Sequence, residues 1–201
     1  MDYRRTMTDL PNTDLPKADA PNTDLLPPVS LRPLRDTDTT QVLDMNTAAV
    51  PAVNDLDAEQ LAAILTAGHS AIAVVADAEP NTVLGFAILF SPGADYASEN
   101  YRWFSGRSDS FLYLDRIVVA PEDRGRGLGA LLYSAVFDAA RAAGADEVFC
   151  EVNLRPPNPE SLAFHERLGF TEVGQQSTKN DTVVVSLLSA TVAEVRSAPP
   201  E

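Results

Sequence analysis

The sequence predicts a single mixed α/β domain whose sheet is mostly antiparallel and includes one parallel pair of strands. Two apolar segments, residues 70–75 and 83–90, flank a Glu79-Pro80-Asn81 turn, which is typical of a β-hairpin. Residues 111–119 and 147–152 are β-branched and aromatic, and a long helical pattern lies between them. Because a helical crossover joins parallel strands, this second pair is expected to be parallel. With 201 residues and 45% hydrophobic content, the chain can bury one substantial core.

Both ends of the chain are predicted to lie outside this domain. Residues 1–28 repeat the motif Pro-Asn-Thr-Asp-Leu, at Pro11 and at Pro21, and are dense in Pro, Asp, Asn and Thr. Such a segment buries too little apolar surface to offset the entropy of ordering, so we expect disorder, with a docking peptide as the alternative. Residues 189–201 are expected to form a flexible tail, which leaves residues 29–188 as the folded domain.

The domain is expected to begin with an edge strand and two short helices. Residues 29–34 predict the edge strand, where the proline they contain is tolerated. Asp36 or Asp38 is expected to cap the first helix. The polar segment 54–57 precedes a second, amphipathic helix that should end near Gly68.

A long loop is predicted between residues 90 and 111. It carries Tyr101, Trp103 and Phe104, and Trp103 is the only tryptophan of the chain. Loops of this length inside a compact domain are usually functional or disordered. Two interpretations stay open: an aromatic cluster that anchors the loop on the core, or a wall over a bound substrate.

A glycine-rich loop joins the strand at 111–119 to the long helix. It reads Arg124-Gly125-Arg126-Gly127-Leu128-Gly129 and falls where a helix leaves its first amide groups unpaired. Bare amides, the positive end of the helix dipole and two arginines favour the binding of an anion such as phosphate. Apolar residues then recur at helical spacing as far as Gly144, which is expected to cap the helix in the left-handed conformation.

The spacing of the glycines bears on two other phosphate-binding motifs. A dinucleotide fold places G-x-G-x-x-G at the end of the strand, whereas these glycines lie past Val119 and beyond Pro121. The spacing of the glycines therefore weakens the interpretation as a dinucleotide-binding protein. Glu151 follows at the distance of about 20 residues expected for a ribose-binding acid, so this interpretation stays an alternative. A Walker loop requires a Gly-Lys-Ser/Thr ending, which the chain lacks.

A second motif follows the strand at 147–152. Asn158 precedes Pro159, a pair that marks the start of a helix. At helical spacing, Asn158, Ser161 and His165 form a single polar line. Such a line is usually only solvated, unless it faces a ligand.

The two motifs together resemble the GNAT acetyltransferases. Arg124, Gly127 and Gly129 match the Arg-x-x-Gly-x-Gly loop of that family, and residues 158–170 match its Asn-x-x-Ala/Ser-x-x-Phe-Tyr…Gly-Phe segment. The resemblance covers about residues 29–188. It implies helices on both faces of the sheet, a parallel pair that splays apart, and acetyl-CoA as the cofactor, with its pantetheine arm in the gap.

The resemblance also implies which residues contact acetyl-CoA. Backbone groups of Ile117, Val118 and Val119 would pair with the pantetheine arm, and the amide of Val119 would polarise the thioester carbonyl. The glycine loop would hold the diphosphate. The expected cofactor-binding residues are Ile117, Val118, Val119, Arg124, Gly125, Arg126, Gly127, Leu128, Gly129, Ala130, Asn158 and Ser161.

The resemblance implies transfer of an acetyl group to an amine, and Asp115 is the predicted catalytic base of this reaction. A carboxylate in a mostly apolar strand is costly to bury unless it is paired, which favours a role in accepting the proton of the amine. An ion pair with an arginine such as Arg102 is the equal alternative, and Glu151 is the second candidate base. The predicted substrate-binding residues are Tyr101, Trp103 and Tyr113.

His165 is the predicted catalytic acid. It lies where the family that the chain resembles has a tyrosine that protonates the departing thiolate. An imidazolium can donate a proton near neutral pH, so His165 can serve as the acid, with a cofactor or structural contact as the alternative.

The predicted function is acetyl-CoA-dependent N-acetylation of a primary amine on an unidentified small-molecule or peptide acceptor. An acyl-CoA-binding module without catalysis is the alternative from a different class. A formal net charge of −14 argues against nucleic acid and anionic membranes as partners. Cys150, the only cysteine, excludes an internal disulfide and is expected to fill the core. We predict no metal site, a cytoplasmic location because no membrane-spanning run or signal peptide is recognised, and compatibility with a homodimer.

Overall fold

Seven strands and five α-helices are formed by residues 28–192, the part of the chain that the computed structural model describes. The strands are β1 (Val29–Pro33), β2 (Ser70–Ala76), β3 (Glu79–Phe90), β4 (Phe111–Val119), β5 (Glu147–Arg155), β6 (Thr171–Thr178) and β7 (Val183–Thr191). The helices are α1 (Thr39–Ala48), α2 (Ala58–Ala67), α3 (Glu99–Ser105), α4 (Leu128–Ala143) and α5 (Pro159–Arg167), and short 3-10 turns lie at Asp36–Asp38 and Pro121–Asp123.

The strands form one sheet in the order β1-β2-β3-β4-β5-β7-β6. Every neighbouring pair is antiparallel except β4 and β5, which confirms the predicted fold class and the edge position of β1. A doubly wound dinucleotide fold would have a mostly parallel sheet.

The parallel pair splays apart, as the resemblance implied. β4 and β5 pair over three positions, from Phe111 opposite Glu147 to Tyr113 opposite Phe149. From Leu114 onward β4 pairs with β3, while β5 continues along β7. The diverging ends open a gap on the β5 side of β4.

The sheet is covered by helices on both faces. Side chains alternate along β4, so that Phe111 and Tyr113 belong to one buried cluster while Leu112 and Leu114 belong to another. The first cluster contains residues of α1, α2 and α3, and the second contains residues of α4 and α5. Among residues 28–192, no helix has the length and apolar character needed to cross a membrane.

The hairpin of β2 and β3 turns earlier than predicted. β3 begins at Glu79, which pairs with Ala76, and the next pair joins Val75 to Val83. Pro80 and its neighbours therefore form a bulge inside the strand rather than the turn. A proline is tolerated there because a bulged residue needs no ladder hydrogen bond.

The helix caps differ in how they use their aspartates. Asp57 caps α2 by accepting a hydrogen bond from the Gln60 amide at 2.8 Å, as the polar segment predicted. Asp38 occupies the cap position of α1 but forms no cap bond, because its carboxylate is paired with Arg32 at 2.6 Å. Gly144 caps α4 in the left-handed conformation (φ 70°), which confirms the prediction.

The chain ends also differ from the predicted boundaries. β7 runs to Thr191, past the predicted domain end at residue 188, because Ser189 and Ala190 still pair with β5. Nearly all of the predicted N-terminal tail, residues 1–27, and residues 193–201 lie outside the described part of the chain.

The segment between β3 and β4 contains the helix α3, so the prediction of a loop over its whole length was wrong. Ser98 caps α3 by accepting a hydrogen bond from the Tyr101 amide. The Tyr101 hydroxyl donates to the Ser91 carbonyl at 2.7 Å and accepts from the Ala94 amide at 2.8 Å. Phe104 is fully buried and stacks on Phe149. Aromatic burial thus anchors this segment on the core.

Trp103 packs so closely on β6 that a larger residue at Gly174 should destabilise the fold. A Cβ at Gly174 would lie 2.8 Å from the Trp103 ring. We expect Gly174→Ala to lower the free energy of unfolding by about 1–3 kcal/mol, measured by urea denaturation. Gly106→Ala is the control, because its Cβ would meet no atom closer than 3.6 Å. Equal losses for the two variants would contradict this packing.

Candidate active site

The glycine loop presents the start of α4 without a side-chain cap. Gly127 is the cap residue and has a left-handed conformation (φ 79°), as does Gly125 (φ 75°). Within the described residues no side chain caps the helix, so its first amide groups keep their hydrogen-bonding capacity for an anion. A Cβ at Gly125 or Gly127 would meet no atom within 4 Å, so backbone conformation, not crowding, requires glycine there.

The two arginines of the loop have different surroundings. Arg124 is exposed, lies on the wall of the cavity described next, and donates from Nε to the Val119 carbonyl at 3.4 Å. Arg126 forms an ion pair with the buried Asp123 and does not line the cavity. The free positive charge at the loop therefore belongs to Arg124.

A cavity of about 1260 Å³ extends from the glycine loop through the gap between β4 and β5. Its wall joins the two sequence motifs with the carboxylates Asp115 and Glu151. Eleven of the twelve predicted cofactor residues line it, and Arg126 does not: the eleven are Ile117, Val118, Val119, Arg124, Gly125, Gly127, Leu128, Gly129, Ala130, Asn158 and Ser161.

Glu151 lies on β5 where the two strands have separated. Its Oε1 accepts hydrogen bonds from Asn100 Nδ2 and from the Tyr113 hydroxyl, both at 2.9 Å. Its Oε2 is buried and has no hydrogen-bond partner among the described residues. Burial, followed by the charge of Asp115, raises the pKa of Glu151 to about 8. A carboxyl group with such a pKa can accept a proton in mildly alkaline solution.

Asp115 also lines the cavity, but both of its oxygens are engaged. Oδ1 accepts from the Tyr96 hydroxyl at 2.5 Å, and Oδ2 accepts from Arg116 Nε at 2.7 Å. The predicted alternative, an ion pair with an arginine, is therefore present, although the partner is Arg116 and not Arg102, which is exposed. The catalytic role of Asp115 stays a prediction, and of the two carboxylates only Glu151 retains an unpaired oxygen.

His165 is buried and both of its ring nitrogens are occupied. Nδ1 lies 2.7 Å from the Ser161 carbonyl, which can only accept, so Nδ1 carries the proton. Nε2 therefore accepts from the Tyr133 hydroxyl. Burial lowers the pKa of His165, which favours the neutral ring. The acid role of His165 stays a prediction, and this arrangement favours the alternative of a structural contact.

The three predicted substrate-binding aromatics lie away from the cavity wall. Tyr101 and Tyr113 are buried in the core, and Trp103 packs on Gly174. Tyr113 reaches the site only through its hydroxyl, which donates to Glu151. Their assignment to substrate binding stays a prediction, while the contacts favour the anchoring interpretation.

Sequence reasoning missed the hydroxyl and amide groups that hold these side chains. Tyr96, Asn100 and Tyr133 all line the cavity and bond to Asp115, Glu151 and His165, respectively. Each lies at least 19 residues from its partner in the chain. The length of the predicted loop between residues 90 and 111 offered one signal, since long connections inside a compact domain are usually functional or disordered.

Comparison with known proteins identifies the class of this chain. The profile described as "Acetyltransferase (GNAT) family" matches residues 40–170. The chain belongs to the GNAT family of acetyltransferases. Acetyl-CoA is the cofactor of this family.

Two relatives in sequence are N-acetyltransferases. The aminoglycoside N(6')-acetyltransferase type 1 of Klebsiella aerogenes is 30% identical over 148 residues, which cover 72% of this chain and 91% of that protein. The phosphinothricin N-acetyltransferase of Streptomyces coelicolor is 33% identical over 107 residues, which cover 53% of this chain and 55% of that protein. The chain thus spans about half the length of the phosphinothricin enzyme.

Solved structures share the fold at low sequence identity. Ard1 from Thermoplasma volcanium has a TM-score of 0.67 at 15% identity, covering 83% of this chain and 99% of that chain. The yncA protein from Salmonella typhimurium, solved with its cofactor acetyl-CoA, has a TM-score of 0.61 at 19% identity, covering 86% of this chain and 98% of that chain. Identities this low establish the likeness of fold only.

Proposed function

We propose that this protein transfers an acetyl group from acetyl-CoA to a primary amine of a small-molecule acceptor. The observation that carries the proposal is the unpaired, buried Oε2 of Glu151, in a cavity that also contains an uncapped helix N-terminus. The first feature suits a proton acceptor and the second suits a diphosphate. The names of the relatives, which refer to phosphinothricin and aminoglycosides, support a small amine as acceptor.

The residues of the glycine loop fit the cofactor of the family. The amides at the start of α4 and the side chain of Arg124 would hold the diphosphate, because both offer donors and positive charge. The unpaired edge of β4 at Ile117 to Val119 would hold the pantetheine arm. Acetyl-CoA, when bound, supplies the acetyl group as a thioester.

Glu151 would act on the acceptor. An aliphatic amine is mostly protonated at neutral pH, and only its neutral form is a nucleophile. Oε2 of Glu151 would take the proton that the amine loses, directly or through one water molecule. The Asn100 and Tyr113 donors hold Oε1, which keeps the carboxylate oriented during that transfer.

The proposal is tested by measuring release of free thiol from acetyl-CoA with a panel of amines. We choose phosphinothricin, kanamycin, spermidine and a short peptide with a free N-terminus, and measure the affinity for CoA in parallel by calorimetry. We expect turnover with at least one amine and a product that is heavier by one acetyl group. CoA binding without turnover would instead indicate a binding module. Thermal stabilisation by NAD but not by acetyl-CoA would contradict the use of acetyl-CoA as the donor.

A further inference from the structure

Two segments outside the glycine loop form part of the cavity wall. Residues 48–55, between α1 and α2, are one, and residues 96–100, at the start of α3, are the other. Neither contains a predicted cofactor contact. If the proposed function holds, both segments are available to contact the amine substrate rather than the coenzyme. We call residues 48–55 and 96–100 the acceptor segments, after the amine that accepts the acetyl group.

The Asp115–Arg116 dipeptide of β4 is bonded to both acceptor segments. Asp115 accepts the Tyr96 hydroxyl of one segment at 2.5 Å and Arg116 Nε at 2.7 Å. Arg116 Nη1 then donates to Asn46 Oδ1 at 2.7 Å and to the Asn54 carbonyl at 3.4 Å. The ion pair thus links the hydrogen bond of Tyr96 to that of Asn54 in one continuous hydrogen-bond network.

The central members of this hydrogen-bond network are buried, which restricts their motion. The side chains of Arg116 and Asp115 are 4% and 6% exposed, and Asn46 is fully buried. Asn46 also donates from Nδ2 to the Asn54 carbonyl, and Asn153 of β5 donates to the Pro51 carbonyl, both at 2.9 Å, so the second segment has hydrogen bonds besides that of Arg116. Within the described residues no hydrogen bond joins residues 46–55 directly to residues 94–101. Both segments also bond to β5, through Asn153 and Glu151, and the Asp115–Arg116 pair is their connection through β4.

We infer that the Asp115–Arg116 pair is a positioning device that fixes the distance between the two acceptor segments and thereby sets which amines fit. This inference rests on the proposed function, since it concerns the acceptor end of the same cavity. Asp115 acts in it through Tyr96 and Arg116, not on the reacting atoms. The two charges neutralise each other, so the pair shapes the cleft without adding net charge to it.

The test uses one variant on each side of the pair, Tyr96→Phe and Asn46→Ala, and their combination. The acceptor probe is phosphinothricin or kanamycin, whichever has the higher kcat/KM in the unmodified enzyme. Each single variant should raise the KM for the amine about tenfold and leave the KM for acetyl-CoA within about twofold, because each removes a hydrogen bond to a charged group. In the double variant, the KM for the amine should rise by less than the product of the two single increases, since both substitutions act through the same ion pair.

The control is Asp38→Asn, which breaks the buried ion pair of Asp38 with Arg32 away from the cavity. It should lower the unfolding temperature without changing either KM. If Tyr96→Phe and Asn46→Ala behave like this control, the pair is only structural and the inference is overturned.

A second measurement does not depend on activity. Hydrogen exchange of residues 46–55 should accelerate in Tyr96→Phe, although Tyr96 has no hydrogen bond to that segment. Acceleration confined to residues 94–101 would refute the coupling. If the unmodified enzyme acetylates no amine, the proposed function fails, whereas the exchange data still decide whether the pair connects the two segments.

Discussion

Replacement of Glu151 by glutamine is expected to lower kcat/KM for acetyl transfer by about 10²- to 10⁴-fold. Glutamine keeps the size of the side chain, and its carbonyl can still accept from Asn100 and Tyr113. It cannot take a proton from the amine. The measurement is the initial rate of thiol release at pH 8 to 9, with the best amine of the panel.

The affinity of Glu151→Gln for CoA should stay within about twofold of the unmodified enzyme, because Glu151 is not a predicted contact of the coenzyme. A rate within threefold of the unmodified enzyme, a margin of about 0.6 kcal/mol, would assign the proton transfer to another group.

The same variant should be more stable in alkaline solution. The pKa of Glu151 is about 8 in the folded protein and 4.5 in a model peptide, so the folded state binds more protons between these values. The unfolding free energy therefore falls as pH rises from about 4.5 to 8. Glutamine has no proton to lose and avoids this loss. Above pH 8 we expect a higher unfolding temperature for Glu151→Gln than for the unmodified enzyme.

Gly127→Val is expected to weaken CoA binding by at least about tenfold. Gly127 has a φ of 79° directly before α4, and a β-branched residue there costs about 1–2 kcal/mol or forces the loop to rearrange. Rearrangement would turn the first amides of α4 away from the diphosphate, and the valine methyl groups would enter the cavity. Calorimetric titration with CoA measures the effect.

Gly144→Val is a matched control at the other end of the same helix. Gly144 also has a left-handed conformation (φ 70°) and a Cβ there would meet no atom within 4 Å, but it does not line the cavity. Both variants should unfold at lower temperatures, and only Gly127→Val should lose CoA affinity. Equal CoA affinities in the two variants would argue that the diphosphate binds elsewhere.

The features that the sequence predicted correctly are those determined by nearby residues. Strand β4, the glycine loop and helix α4 depend on alternation, on a left-handed glycine and on helical periodicity, all of which are visible within about ten residues. The cap at Asn158 is likewise local. The early turn at β3 was missed because Pro80 suggested a turn, whereas it lies in a bulge that depends on pairing with β2.

The candidate site was only partly predictable because, apart from Arg116, the groups that pair with its two carboxylates are remote in the chain. Asp115 and Glu151 look alike as carboxylates in apolar strands. Arg116 and Tyr96 pair with the first, while the second keeps an oxygen with no partner among the described residues. Sequence spacing does not reveal which of two buried carboxylates is left unpaired.

The pH dependence of kcat/KM, compared between the unmodified enzyme and Glu151→Gln, tests most directly whether Glu151 accepts the proton of the amine. In the unmodified enzyme we predict that kcat/KM rises with pH through an apparent pKa of about 8, in addition to the ionisation of the amine itself. In Glu151→Gln only the ionisation of the amine should remain. Identical profiles for the two proteins would contradict the role of Glu151 as the base.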